Sequence, residues 1–171
     1  MKEKNSSLKS ILIFVISVAI LTFFDQLSKI IMVDALKTTK TIPLIKNVLE
    51  FYYIENTGTA WGMFGGGRIF FLVLTVIIMA VLVYITTTKK YMLMRITIIL
   101  LGSGAVGNFI DRLFLGYVRD FIYFRLINFP VFNVADCYVT IGLALFIIMV
   151  LFIYKDEDFN FLKPDRKGSN E

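Results

Sequence analysis

Four long apolar stretches decide what this chain can fold into. Residues 11–24 are uncharged, and after Asp25 and Lys29 the segment continues apolar to about Val33. Residues 69–88 form a run of 20 uncharged positions, and residues 137–154 a run of 18. Residues 96–110 are uncharged within a longer apolar segment, 91–115. A helix crossing a ~30 Å hydrocarbon layer needs ~20 residues. The second and fourth stretches meet that length outright, and the first and third meet it if polar residues enter at one end. Composition agrees: 57% of the 171 residues are hydrophobic and 18% charged, against ~45–50% and ~25% in soluble domains. The expected architecture is an all-α polytopic membrane protein with four transmembrane helices, at about 10–33, 69–88, 91–115 and 137–154.

The first stretch is read as a retained anchor. Lys2, Lys4 and Lys9 make a suitable positive start for a cleaved leader. The one small-x-small site, Ser17-Val18-Ala19, leaves an apolar core of only residues 11–16, shorter than the ~7–15 residues a leader needs. Basic residues set the orientation. The N-terminal tail, the connection with Lys89, Lys90 and Arg95, and the tail with Lys155, Lys163, Arg166 and Lys167 together hold ten of the 18. Both termini are therefore expected in the cytoplasm. A single membrane domain would span 1–155, with a polar cytoplasmic tail over 156–171. The net charge of +5 then reports orientation, not nucleic-acid binding.

The outer connections, about 34–67 and 116–136, are too apolar for ordinary solvated loops. Residues 48–54 are rich in β-formers and read as a strand, with Asn56-Thr57-Gly58 as a turn after it. Residues 131–134, following Pro130, read as a second short strand. A small extracytoplasmic β-platform at the membrane surface is expected. Gly65-Gly66-Gly67 reads as a hinge or turn into the second helix.

With no histidine and one cysteine, Cys137, the chain lacks the parts for Ser-His-Asp or Cys-His catalysis, for a histidine metal site and for a dithiol redox pair. Ionisable groups in or beside membrane segments are costly and so mark candidate sites. They are Asp25, Lys29, Asp111, Arg112, Asp120 and Asp136, all toward one face of the bundle. Asp25 and Lys29 share a helix face, either as an ion pair with Lys29 snorkelling to the interface or as a substrate-holding pair. Asn108, Asp111 and Arg112 share another face, as a structural network or as part of a site. Ser103-x-x-x-Gly107 has the spacing for close helix packing. Asp120 reads either as a surface-loop carboxylate or as an active one. Asp136, just before the fourth helix, reads either as an N-cap or as its partner. Two carboxylates in a partly dry site share a proton. One then takes a proton from water while the other hydrogen-bonds the scissile carbonyl. A Ser–Lys nucleophile is disfavoured because Ser28 and Lys29 are adjacent and diverge, and Ser103 has no nearby lysine.

Together these pieces resemble the lipoprotein (type II) signal peptidases of bacteria. The matching segments are Asp25-Gln26-Leu27-Ser28-Lys29, Asn56-Thr57-Gly58-Thr59-Ala60-Trp61-Gly62, Gly104-Ala105-Val106-Gly107-Asn108-Phe109-Ile110-Asp111-Arg112, Val118-Arg119-Asp120-Phe121 and Phe132-Asn133-Val134-Ala135-Asp136. The resemblance implies a metal-independent aspartic endopeptidase without cofactor. It would cut diacylglyceryl-modified prolipoproteins before the lipidated cysteine, in the cytoplasmic membrane, among membrane lipids, without nucleic acid and as a monomer. It implies Asp120 and Asp136 as the catalytic pair. Asp25, Lys29, Asn56, Gly58, Asn108, Asp111, Arg112 and Asn133 would shape the site or hold substrate. Thr59 departs from the alanine common in that family and bears on substrate preference. Two other readings remain. A small transporter would place its acid near the midplane, and a structural module would tolerate Asp→Asn changes.

Overall fold

The computed structural model describes residues 2–58, 67–88 and 92–153. Helix α1 spans Lys2–Leu36, α2 Gly67–Thr88, α3 Met92–Phe114 and α4 Val134–Ile148, the last running into a π-helical turn at Met149–Ile153. Each of the four contains a stretch long and apolar enough to cross a membrane. Their outward faces carry residues such as Leu12, Ile16, Phe23, Phe70, Val76 and Ile147, all widely exposed. Such a surface is stable only against lipid.

Helix α3 packs against each of the other three helices. Small residues make this possible. A Cβ on Gly104 would run into the Ala135 carbonyl of α4. One on Gly107 would stand 2.5 Å from an Asp25 carboxylate oxygen, and one on Gly102 would press on Phe14 and Val18 at 3.2 Å. One cluster of buried apolar side chains, Phe14, Val18, Leu82, Met94, Ile98 and Met149, lies toward one end of the bundle, while Leu36, Val118, Phe121 and Ala135 are buried at the other.

The strands collect at the other end. β1 (Thr41–Ile45), β2 (Leu49–Asn56) and β3 (Val118–Phe124) form an antiparallel sheet in the order β1-β2-β3. β1 joins α1 to β2, β2 leads towards α2, and β3 joins α3 to α4, so all three lie where α1 and α3 end and α2 and α4 begin. Pro43 is accommodated because β1 is an edge strand. Helix α3 stops through Gly116, whose φ of +88° is the left-handed conformation that glycine adopts without strain. Two residues later β3 begins.

Two expectations need correction. The second predicted strand, 131–134, is a single bridge, Ile122 to Phe132, because Asn133 already caps α4. The strand that pairs with β2 is Val118–Phe124. Helix α4 starts at Val134, not at 137, so Asp136 lies inside its first turn. Hydropathy places the start after the last charge, whereas a capping box seats a carboxylate within the first turn. Gly65, Gly66, Thr59 and the tail beyond residue 153 lie outside the described residues.

Candidate functional site

The site is assembled from five elements at the sheet end of the bundle. Helix α4 supplies Asp136 through its cap. The Asn133 side chain accepts from the Asp136 N–H at 3.1 Å, and the Asn133 N–H donates to Asp136 Oδ2 at 3.0 Å. The second Asp136 oxygen, Oδ1, accepts from Asn108 Nδ2 of α3 at 2.8 Å.

Strand β3 supplies Asp120, which is 2% exposed. It pairs with Ile54 across a register shift between Phe51 and Ile54. The N–H groups of Phe121 and Ile122 both donate to the Phe132 carbonyl, at 3.0 and 2.8 Å, the pattern of a β-bulge. Bulges re-aim side chains, and this one turns Asp120 and Phe121 both inward. Asp120 Oδ2 accepts from Asn56 Nδ2 at 2.8 Å, and Oδ1 from Asn133 Nδ2. Asn56 is held in turn by its Oδ1, which accepts from the Gly58 N–H at 2.9 Å. Gly58 has φ +75°, and the Phe71 ring lies 3.2 Å from where its Cβ would be. That leaves glycine as the residue that fits.

Asn133 thus touches both carboxylates, one through its side chain and one through its backbone. Its amide also donates to Asn108 Oδ1 at 3.1 Å. Behind it lies the buried cation Lys29, fully covered like Asp25 and Asp111. Lys29 Nζ donates to Asn108 Oδ1 at 3.0 Å and pairs with Asp25 at 2.9 Å and Asp111 at 3.6 Å. It does not snorkel; the carboxylates of α1 and α3 hold it inward. Asp25 also accepts from the Ala135 N–H at 2.8 Å, so it satisfies an opening amide of α4.

Arg112 takes another direction. Its guanidinium stands 4.5 Å from the centre of the Phe71 ring and acts electrostatically on Asp136, Asp120 and Asp111. The three residues read as sharing one face of α3 therefore have separate tasks: Asn108 faces α4, Asp111 faces α1 and β3, and Arg112 faces α2. Ser28 is committed to the Asp25 carbonyl at 2.6 Å and Ser103 to the Ile99 carbonyl at 2.6 Å.

Two participants were not singled out by sequence reasoning. Arg119 grips Asp111 three times: from its backbone N–H at 3.0 Å, from Nε at 3.2 Å and from Nη2 at 2.7 Å. Gln26 accepts from Arg119 at 2.8 Å and donates to Asp111 at 3.1 Å and to the Gly107 carbonyl at 3.0 Å. The available signal was proximity: Gln26 adjoins Asp25, and Arg119 adjoins Asp120.

Four carboxylates, Asp25, Asp111, Asp120 and Asp136, stand among three cations, Lys29, Arg112 and Arg119. Counted as ionised, these groups leave one negative charge over. Burial pushes the Asp120 carboxyl up to about 6, with the Asp136 charge adding to the rise and the Asn56 and Asn133 hydrogen bonds opposing it. A carboxyl group in that range exchanges its proton near neutral pH. Among the described residues no group of His, Cys, Asp or Glu is arranged to hold a metal ion.

Residues 17–152 match the profile of the Signal peptidase (SPase) II family. The chain belongs to that family. It is 39% identical over 142 residues to the lipoprotein signal peptidase of Clostridioides difficile (strain 630), covering 82% of this chain and 96% of that protein. It is 35% identical over 149 residues to the lipoprotein signal peptidase of Streptococcus pyogenes serotype M5 (strain Manfredo), covering 86% and 96%. Its fold resembles a bacterial membrane enzyme solved at 1.9 Å, with a TM-score of 0.76 and 36% identity over 82% of this chain and 94% of that one. A second bacterial membrane enzyme, solved at 2.3 Å, gives a TM-score of 0.73 and 33% identity over 91% and 94%. The protein is thus a multi-pass membrane peptidase of the signal peptidase II family.

Proposed function

We propose that this protein removes the signal peptide from diacylglyceryl-modified prolipoproteins, cutting before the lipidated cysteine, and that it does so as an aspartic endopeptidase with Asp120 and Asp136. The observation that carries the reading is the bridge through Asn133. It joins two carboxylates 16 positions apart in a site with one negative charge to spare.

Asp120 holds the shared proton and Asp136 is the base. Each carboxylate accepts two hydrogen bonds, but Asp136 also stands in the first turn of α4, at the positive end of its dipole. Water attacks the scissile carbonyl carbon and gives its proton to Asp136. Asp120 donates its proton to the carbonyl oxygen, giving a tetrahedral diol. When the C–N bond breaks, Asp136 returns its proton to the leaving amine and Asp120 recovers one from the diol. Asn56 and Asn133 orient Asp120, and Gly58 shapes the turn that holds Asn56. Asn108 and Asn133 orient Asp136. Lys29, Asp25 and Asp111 anchor Asn108 and the opening of α4. Arg112, stacked on the Phe71 ring, is the cation left to meet the substrate backbone. No cofactor is needed for these steps.

The sheet carries an exposed apolar tip: Leu44 and Ile45 beside Leu126, Ile127 and Phe129. Leu126 N–H donates to the Val48 carbonyl at 3.3 Å, tying the two parts of the tip together. Such a tip suits the bilayer surface, the depth at which a lipidated cysteine presents its preceding bond. The positive-inside bias puts both termini in the cytoplasm and this end outside. The bundle is complete as a monomer, and lipids and lipidated precursors are its partners.

The test is cleavage of a diacylglyceryl precursor followed by gel shift. Asp120→Asn and Asp136→Asn should each abolish turnover while the protein inserts and folds. Normal turnover by purified, folded Asp136→Asn protein would sink the assignment.

A further inference from the structure

The far end of the bundle holds a cation that no acid among the described residues balances. Arg95 lies in the opening turn of α3, which contains no acidic residue. Its Nη2 reaches the Ser10 hydroxyl at 3.5 Å. Its Nε is buried and meets no hydrogen-bond partner. None of the ion pairs among the described residues includes it. A guanidinium has five N–H donors in a planar fork suited to phosphate. A cation at a helix N-terminus is also opposed by the helix dipole. Both facts call for an anion at this place, and the described part of the chain supplies none.

The recess around Arg95 is lined by Ser10, Ile13, Phe14, Thr86 and Ile98. Phe14 also lines a larger groove, about 510 Å³, running between α1, α2 and α3. Its walls include Val18 and Thr22 of α1, Met79 and Val83 of α2, and Val106 and Ile110 of α3. From Phe14 to Gln26 the groove follows α1 for roughly 18 Å at 1.5 Å per residue. One leaflet of the hydrocarbon layer is roughly 15 Å deep. At the membrane face opposite the aspartates, the cationic recess and an apolar channel about as long as one acyl chain thus share Phe14 as a common wall.

The geometry points to a binding site for an anionic glycerophospholipid, with its phosphate on Arg95 and one acyl chain along the α1–α2–α3 groove. Lipid tails fill apolar grooves in any bilayer. The uncompensated Arg95 is what selects the headgroup, and it favours a phosphate with no amine beside it. The chain tip would end at Gln26, the residue that holds Asp111 and Arg119. This site is separate from the aspartate pair and stands whether or not the peptidase reading does.

The experiment uses the full chain in detergent. Native mass spectrometry counts bound lipid, and thermal unfolding reads stabilisation by phosphatidylglycerol against phosphatidylcholine of the same acyl chains. Wild type should retain one phosphatidylglycerol and gain several degrees more from it than from phosphatidylcholine. Arg95→Gln should lose that preference while unfolding normally without lipid. Ala19→Trp, which fills the groove from a lining position, should weaken retention of both lipids. Glycerol phosphate, which has no acyl chain, should do nothing. Equal responses of wild type to the two lipids would overturn the proposal, as would an unchanged preference in Arg95→Gln, unchanged retention in Ala19→Trp, or a full shift from glycerol phosphate alone.

Discussion

The two ends of this bundle are built on opposite principles. At one end Phe14, Val18, Leu82, Met94, Ile98 and Met149 pack as an ordinary core. At the other Asp25, Lys29, Asn108, Asp111, Asp120 and Asn133 are just as deeply covered. The apolar end tolerates change, because its contacts are many and individually weak. The polar end does not, because Lys29, Asn108, Asn133 and the carboxylates satisfy one another, and removal of one leaves a buried group unsatisfied. The charges of the polar end are held by each other and by the opening turn of α4.

The largest effect should come from removing Lys29. It is fully buried and pairs with Asp25 at 2.9 Å and Asp111 at 3.6 Å, and breaking a buried pair costs about 3–5 kcal/mol. Lys29→Met is expected to lower the yield of folded protein and its thermal midpoint sharply, read by fluorescence-detected size exclusion in detergent. The double variant Lys29→Met with Asp25→Asn should recover part of that loss. If both behave like wild type, the polar end is not held together by its charges.

The contrast between the ends also explains what could be read from the residues in order. The helices were legible because lipid contact imposes long apolar runs, and the candidate charges stood out because such runs exclude them. β3 was hidden: Val118-Arg119-Asp120-Phe121 sets two charges side by side between apolar residues, without the alternation of an ordinary strand, because the bulge at Phe121 breaks the pattern. β1 was masked by Pro43, which reads as a breaker until the strand is known to lie at an edge. The start of α4 was misplaced because Asp136 is a cap residue inside the helix. Gln26 carries no charge, and Arg119 lies in what reads as a loop. Their meeting at Asp111 depends on α1, α3 and β3 converging, which no local spacing encodes. Residues 59–62 of the matching segments lie outside the described part of the chain.

An intermediate effect is expected at Asn56, where the comparison can be sharpened by pH. Its amide donates to Asp120 at 2.8 Å and so favours the ionised carboxylate, against the burial that raises Asp120 to about 6. If the rate requires protonated Asp120, kcat/KM falls as pH rises through about 6. Asn56→Ala removes a donor to the charged form. The midpoint should therefore move upward, and the alkaline limb with it. The loss of orientation should cut the plateau rate by about 10–100-fold, the worth of one hydrogen bond to a charged group. A downward move of the limb would assign the titrating proton to another group.

The smallest effect belongs to the apolar end. Ile98 is 3% exposed and packed with Phe14, Val18 and Met94. Ile98→Val removes one methylene and leaves a small void, at a cost of about 0.5–1.5 kcal/mol. The thermal midpoint should fall by a few degrees, while kcat, KM and the pH limb stay as in wild type. The outcome discriminates because α3 runs unbroken from Ile98 to Asn108 and Asp111. If a methylene lost at the core end changed the catalytic constants, the helix would be transmitting strain between the ends. The polar network would then be positioned by the whole bundle. If the constants hold, Lys29, Asn108 and Asn133 position the aspartates locally, and the core end serves only to keep the helices together.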